Sequence, residues 1–154
     1  MNTVVDESLS QLEDKLESSD IDMEKIFCDE TLHVKVDSER LKQVILNLVE
    51  NAIDAMPNSG KLRIRTSRYN EYVVMDIEDT GPGIDKYGLE NLFNLFYTTK
   101  NSGSGLGLPV SKKIIDDHGG YINVDSTLGK GTIFSVRLPA ITSAESTNIA
   151  KNDT

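Results

Sequence analysis

The chain has 154 residues, 38% hydrophobic and 27% charged, with 25 Asp and Glu against 16 Lys and Arg and a formal net charge of −9. That length suits one globular domain with a real core, and the acidity excludes an electrostatic nucleic-acid binder, though not a phosphate ligand held by backbone N–H groups and a metal. Cys28 is the single cysteine, no apolar run reaches transmembrane length and the start lacks a signal-peptide layout, so a reducing, cytoplasmic setting is expected.

Residues 2–18 place Val5, Leu9, Leu12 and Leu16 on one helical face, which predicts a short surface helix. Residues 20–27 and 31–36 alternate as two strands joined through Cys28-Asp29-Glu30. Residues 41–56 follow as a helix with two faces. Leu41, Val44, Ile45, Leu48, Ala52 and Ala55 form the core stripe, while Asn47, Glu50, Asn51 and Asp54 recur on another side. Asp37 or Ser38 can cap its start, and Pro57 stops it. Read alone, the polar face is a solvated one; yet short, acceptor-rich side chains also suit a hard cation and its waters.

After the turn at 57–60, residues 61–68 read as a half-exposed strand and 72–77 as a buried one, a hairpin with a loop longer than the minimum. The second strand leads into Asp79-Thr80-Gly81-Pro82-Gly83-Ile84. An apolar-aromatic patch from Gly88 to Lys100 precedes Gly103-Ser104-Gly105-Leu106-Gly107-Leu108. Pro109 suits a first helical turn, with Val110, Ile114 and Ile115 facing inward as far as His118. Residues 121–126 and 132–138 form a second hairpin, and residues 141–154 read as a disordered tail beyond a domain at 1–140. The order predicts a two-layer α/β sandwich: a mixed, mostly antiparallel sheet covered on one face by helices.

Three glycines in five residues, leading straight into a helix, allow close backbone approach to a ligand and offer free N–H groups and the positive dipole end to phosphate. A flexible linker before an ordinary helix fits that loop alone equally well. It is neither a P-loop nor a dinucleotide fingerprint. Asp79, at the end of a buried strand, can accept from the exocyclic amine of a base or merely cap the strand, and Thr132 can add a hydroxyl.

The motifs N-L-V-E-N-A-I-D-A-M (47–56), D-T-G-P-G-I (79–84), F-N-L-F-Y-T-T-K (93–100), G-S-G-L-G-L (103–108) and G-K-G-T-I-F-S-V-R-L-P (129–139) are weak singly and specific in series. In that order they closely resemble the catalytic ATP-binding domain of sensor histidine kinases, within the GHKL group that includes the gyrase, heat-shock-90 and MutL ATPases. The resemblance implies ATP and Mg²⁺ as ligands. Asn51 would coordinate the metal, Asn47 would support the phosphate and metal site, and Glu50 would be the general base or polarise the attacking nucleophile. Asp79 would read the adenine amino group, helped by Gly83 and, through water, by Thr132. A lid from about Gly88 to Ser104 would bring Lys100 near the phosphates, and Gly103, Gly105, Gly107 and Leu108 would cradle them. Asp54, Gly81, Ile84 and Leu106 complete the implied nucleotide site.

The implied activity is transfer of the γ-phosphoryl group to a histidine on a separate dimerisation hairpin, with a response regulator downstream. Neither His33 nor His118 sits in a phosphoacceptor-like sequence, so the hairpin is missing here. The chain is therefore expected to be a piece of a longer kinase, which can be membrane-anchored, and the piece itself a monomer; a naturally short protein is the other reading. The 93–100 segment departs from the family pattern in lacking Glu-Pro between its aromatics. An anti-sigma-factor-type serine kinase, a GHKL ATPase and a nucleotide-sensing module are the alternatives on the same scaffold.

Overall fold

Two short helices, α1 (Asn2–Ser10) and α2 (Glu13–Glu17), begin the chain in a computed structural model that describes residues 1–141 and Glu145. The predicted stripe is there, with Val5, Leu9 and Leu12 buried, but the single helix is two. Gln11 and Leu12 donate to carbonyls three residues back, at Ser8 and Leu9, which tightens the turn and breaks the α-helical ladder.

Strand β1 (Ile21–Ile26) pairs in parallel with β2 (Gly60–Tyr69). The expected strand at 31–36 does not form: that stretch makes one bridge, Val34 to Ala140. Leu32 is buried and Val34 and Val36 pack against the core, so the alternation serves one-sided packing on a crossing segment.

Helix α3 (Ser38–Ala55) is the centre of the helical layer. Asp37 caps it by accepting from Arg40 N–H at 3.1 Å. Leu41, Val44, Ile45, Leu48, Val49, Ala52 and Ile53 are buried, a wider stripe than predicted, with Ala55 only half-buried at its edge. Strand β3 (Tyr72–Asp79) returns against β2. Tyr69 faces Tyr72 across a two-residue loop, so the turn is minimal rather than long; Asn70, at φ 55°, supplies the left-handed residue that glycine usually provides.

Helices α4 (Lys86–Asn91) and α5 (Gly107–Asp117) precede the hairpin of β4 (Tyr121–Thr127) and β5 (Gly131–Pro139). On α5 the inward positions are Ser111, Ile114 and Ile115, while Val110 is 37% exposed, contrary to expectation. Val110 is four residues from Ile114 but about 100° around the helix from Ser111, so it falls at the exposed edge of that stripe.

The sheet order is β1-β2-β3-β5-β4, parallel only at β1–β2, with α1, α3 and α5 packed on one face. Leu62, Ile64, Met75, Ile77, Phe134 and Val136 meet them there. The other face carries ion pairs, such as Arg63 with Glu24 at 2.8 Å and with Glu78 at 3.2 Å. Solvent-reached pairs of this kind contribute little, so burial on the helical side holds the fold. Among the described residues no helix is long and apolar enough to cross a membrane. Beyond Ile141 and Glu145, the expected disordered tail lies outside the described residues.

Candidate functional site

The polar face of α3 meets the start of α5. Asn47 Nδ2 donates to Ser111 Oγ at 3.0 Å. Its Oδ1 lies so close to the first turn of α5 that a Cβ on Gly107 would stand 2.0 Å from it. A side chain at 107 would displace the Asn47 carboxamide, so the glycine keeps that carboxamide beside the free N–H groups at the α5 start. Glu50 is exposed and makes no hydrogen bond or ion pair among the described residues. With Asn47, Ser104, Leu106 and Gly107 it borders an open cleft of about 470 Å³.

Further along the same face, the side-chain oxygens of Asn51 and Asp54 converge on one cation. Lys100 Nζ lies 2.7 Å from Asn51 Oδ1 and 2.8 Å from Asp54 Oδ2, and Lys15 Nζ is 3.0 Å from Asp54 Oδ1. Burial pushes the Asp54 carboxyl up, but the Lys100 and Lys15 ammonium groups outweigh it and hold the acid below its ordinary range.

Asp79 ends β3 with only 6% of its surface exposed. Its Oδ1 accepts from Gly81 N–H at 2.8 Å, and the nearby Thr132 backbone amide also favours the charged carboxylate. Burial raises its pKa, and these two amides offset that only in part. A Cβ on Gly81 would lie 3.1 Å from Ala55 Cβ, so the Asp79 turn abuts the last turn of α3. From Asn47 to Ala55 the helix rises about 12 Å at 1.5 Å per residue, which separates the Asp79 end from the carboxamide end. The loop after Asp79 is strapped to the β4–β5 hairpin: Ile84 N–H donates to Ser126 Oγ at 2.8 Å, and Gly129 N–H to Pro82 O at 2.8 Å. Gly83, at φ 75°, lies under Thr127, whose carbonyl oxygen is 2.3 Å from where a Cβ would be.

The intervening segment is loosely tied. Asp85 caps α4 through Gly88 N–H at 2.7 Å, and Leu92 is buried, but Leu95 and Phe96 are 65% and 73% exposed. Phe96 N–H donates to Gly105 O at 2.9 Å, and Gly103 N–H to Lys100 O at 3.3 Å. Leu106 is the N-cap position of α5, and Leu108 in its first turn packs against the core.

A family model described as histidine kinase-, DNA gyrase B- and HSP90-like ATPase matches residues 36–142, which take in this site apart from Lys15. The chain belongs to that family. Sporulation kinase C of Bacillus subtilis (strain 168) is 34% identical over 140 residues, 90% of this chain and 33% of that protein. The chain thus spans about a third of the length of that curated relative. The catalytic domain of histidine kinase ThkA, in a nucleotide-free form, superposes with a TM-score of 0.83 at 36% identity, covering 90% of this chain and 91% of that one. ThkA in complex with response regulator protein TrrA gives 0.80 at 33% identity, covering 92% of this chain and 40% of that one. The fold is that of the GHKL catalytic domain of the histidine kinases.

In this ATPase domain the expected site residues gather along the second half of α3 and just beyond its end. Asn47, Glu50, Gly107 and Leu106 group at the α5 start, Asn51 and Asp54 hold Lys100, and Asp79, Gly81, Gly83, Ile84 and Thr132 group beyond Ala55. Gly103 and Gly105 lie in the loop before α5, tied to Lys100 and Phe96. Sequence reasoning missed Ser111, Ser126 and Lys15. Ser111 carried one usable signal, a position four residues after Gly107 on the inward phase of α5. Lys15 carried none, since an exposed lysine on a surface helix is ordinary.

Proposed function

We propose that this chain is the catalytic domain of a sensor histidine kinase, one that passes the γ-phosphoryl group of ATP to a histidine on a separate phosphoacceptor hairpin. The observation that carries the proposal is the division of the site. A buried carboxylate stands beside the last turn of α3, and a face of carboxamides and carboxylates runs back along the helix to Asn47 at the α5 start, about 12 Å of helix rise from Ala55. A purine amine suits the first, and a metal-bound phosphate chain suits the second.

Among the described residues no three His, Cys, Asp or Glu side chains form a metal cage. Mg²⁺ needs none, because it takes one or two protein oxygens and completes its octahedron with phosphates and water. Asn51 and Asp54, already sharing one cation, fit that role, with Asn51 as the ligand. When bound, the metal supplies charge neutralisation on the phosphates. The chain does the positioning. Asp79 accepts the adenine amine, with Thr132 and the Gly83 backbone beside it. The amides at Gly103, Gly105, Gly107 and Leu108 receive phosphate oxygens, and Asn47 holds the α3–α5 contact in register. Lys100 leaves Asn51 and Asp54 for the phosphates, and Glu50 takes the proton from the attacking imidazole.

The likeness to a kinase solved with its response regulator supports a response regulator as the next acceptor. Incubated with γ-labelled ATP, this domain alone is expected to incorporate no label, whereas a longer chain carrying the hairpin takes it on histidine. Label stably bound to this domain alone would overturn the proposal.

A further inference from the structure

Three polar side chains lie in a row on the helix-covered face of the sheet, one on each of three adjacent strands. Asp79 on β3 faces Thr132 on β5, and Thr132 faces Ser126 on β4. Ser126 Oγ is the hub: it accepts from Ile84 N–H at 2.8 Å, and it lies 3.0 Å from Gly131 O and 2.9 Å from Thr132 Oγ1. A hydroxyl has one hydrogen and two lone pairs. The Gly131 carbonyl has no hydrogen to give, so the Ser126 hydrogen goes there; otherwise two oxygen lone pairs would face each other at 3.0 Å in a partly buried cluster. Ile84 N–H occupies one Ser126 lone pair. The other receives the Thr132 hydroxyl, which is therefore the donor in that pair. Its only hydrogen is committed to Ser126, and towards the base site it has lone pairs alone. The Asp79 carboxylate is likewise an acceptor only.

We infer that Ser126 is a positioning residue that fixes the polarity of the Thr132 hydroxyl, so that the Asp79–Thr132 edge selects a base bearing an exocyclic amine and rejects one bearing a carbonyl there. This rests on the reading of Asp79 as the base-binding carboxylate. Without the Ser126 hydroxyl, Thr132 is free to turn its hydrogen towards the ligand, and a carbonyl at that position gains a donor. A role confined to holding the Ile84 loop would weaken every nucleotide alike, whereas polarity control changes the ratio between bases.

The test is calorimetric titration of ADP and IDP, adenine against hypoxanthine, into the full chain. The preference for ADP is expected to fall about five- to tenfold in Ser126→Ala, the equivalent of one neutral hydrogen bond, and to recover in Ser126→Thr. Should Ser126→Ala fail to fold by circular dichroism, Thr132→Val carries the test, because deleting the oriented acceptor must also lower the preference severalfold. An unchanged ADP-to-IDP ratio in a folded variant that still binds ADP overturns the inference and leaves the base-site reading standing. Absence of ADP binding to the wild-type chain removes that reading first, and the inference with it.

Discussion

Asp79→Asn is expected to cut adenine-nucleotide affinity by about 2–3 kcal/mol, roughly 30- to 150-fold, while the domain stays folded. The variant keeps the side chain's volume and an oxygen for Gly81 N–H, but it turns a charged acceptor into a neutral group with a donor of its own. That donor opposes the adenine amine at a side chain only 6% exposed, where an unmatched polar contact is costly. Calorimetry reads the affinity, and a folded variant binding within threefold of wild type would remove Asp79 from base recognition. The same substitution has a signature in stability. Burial raises the Asp79 pKa, so at acid pH, between the ordinary carboxylate value and the raised one, the folded state holds a proton that the unfolded state has released. Above both values the group is a carboxylate in either state. Wild-type stability therefore falls as pH rises from the ordinary carboxylate range through the raised value, and that component is missing in Asp79→Asn. Thermal midpoints across acidic pH would show the slope in one protein and its loss in the other.

Glu50→Gln is expected to lower phosphoryl transfer to a hairpin-bearing chain about 10²- to 10⁴-fold with nucleotide affinity unchanged. Glu50 is exposed, without a hydrogen bond or ion pair among the described residues, so the substitution has little structure to disturb. It borders the cleft beside Asn47 and the α5 start, where the transferred group would lie. Gln cannot take the proton from an attacking imidazole, and an effect on rate without one on binding is what a residue acting only in the transition state gives. Single-turnover transfer within threefold of wild type would show that the imidazole needs no base from this helix.

Much of this was legible in the chain itself, for physical reasons that can be named. The two faces of α3 are written in a period of 3.6, which burial enforces. Asp79 stands out only through the series of motifs, because a carboxylate at the end of an apolar strand before two glycines serves equally well as a strand cap. Local pattern failed where distant partners decide. The 31–36 alternation is real, but it packs Leu32, Val34 and Val36 inward on a crossing segment that makes one bridge, Val34 to Ala140, rather than a ladder on an edge strand. The Asn70 turn looked long because no glycine marks it. Lys100 meets Asn51 and Asp54 from 49 and 46 residues away, and no spacing rule links a lid lysine to them or to Lys15. Ser126 reads in sequence as an ordinary strand residue, and only the cross-strand row with Thr132 and Asp79 gives its hydroxyl a direction.

The most direct measurement is calorimetric titration of ADP and a non-hydrolysable ATP analogue, with and without Mg²⁺, into the wild-type domain and Asn51→Ala. The wild type should bind both nucleotides and bind the analogue more tightly with Mg²⁺, and in Asn51→Ala the metal should make no difference. A wild-type domain that binds no adenine nucleotide would leave the fold assigned but contradict the kinase.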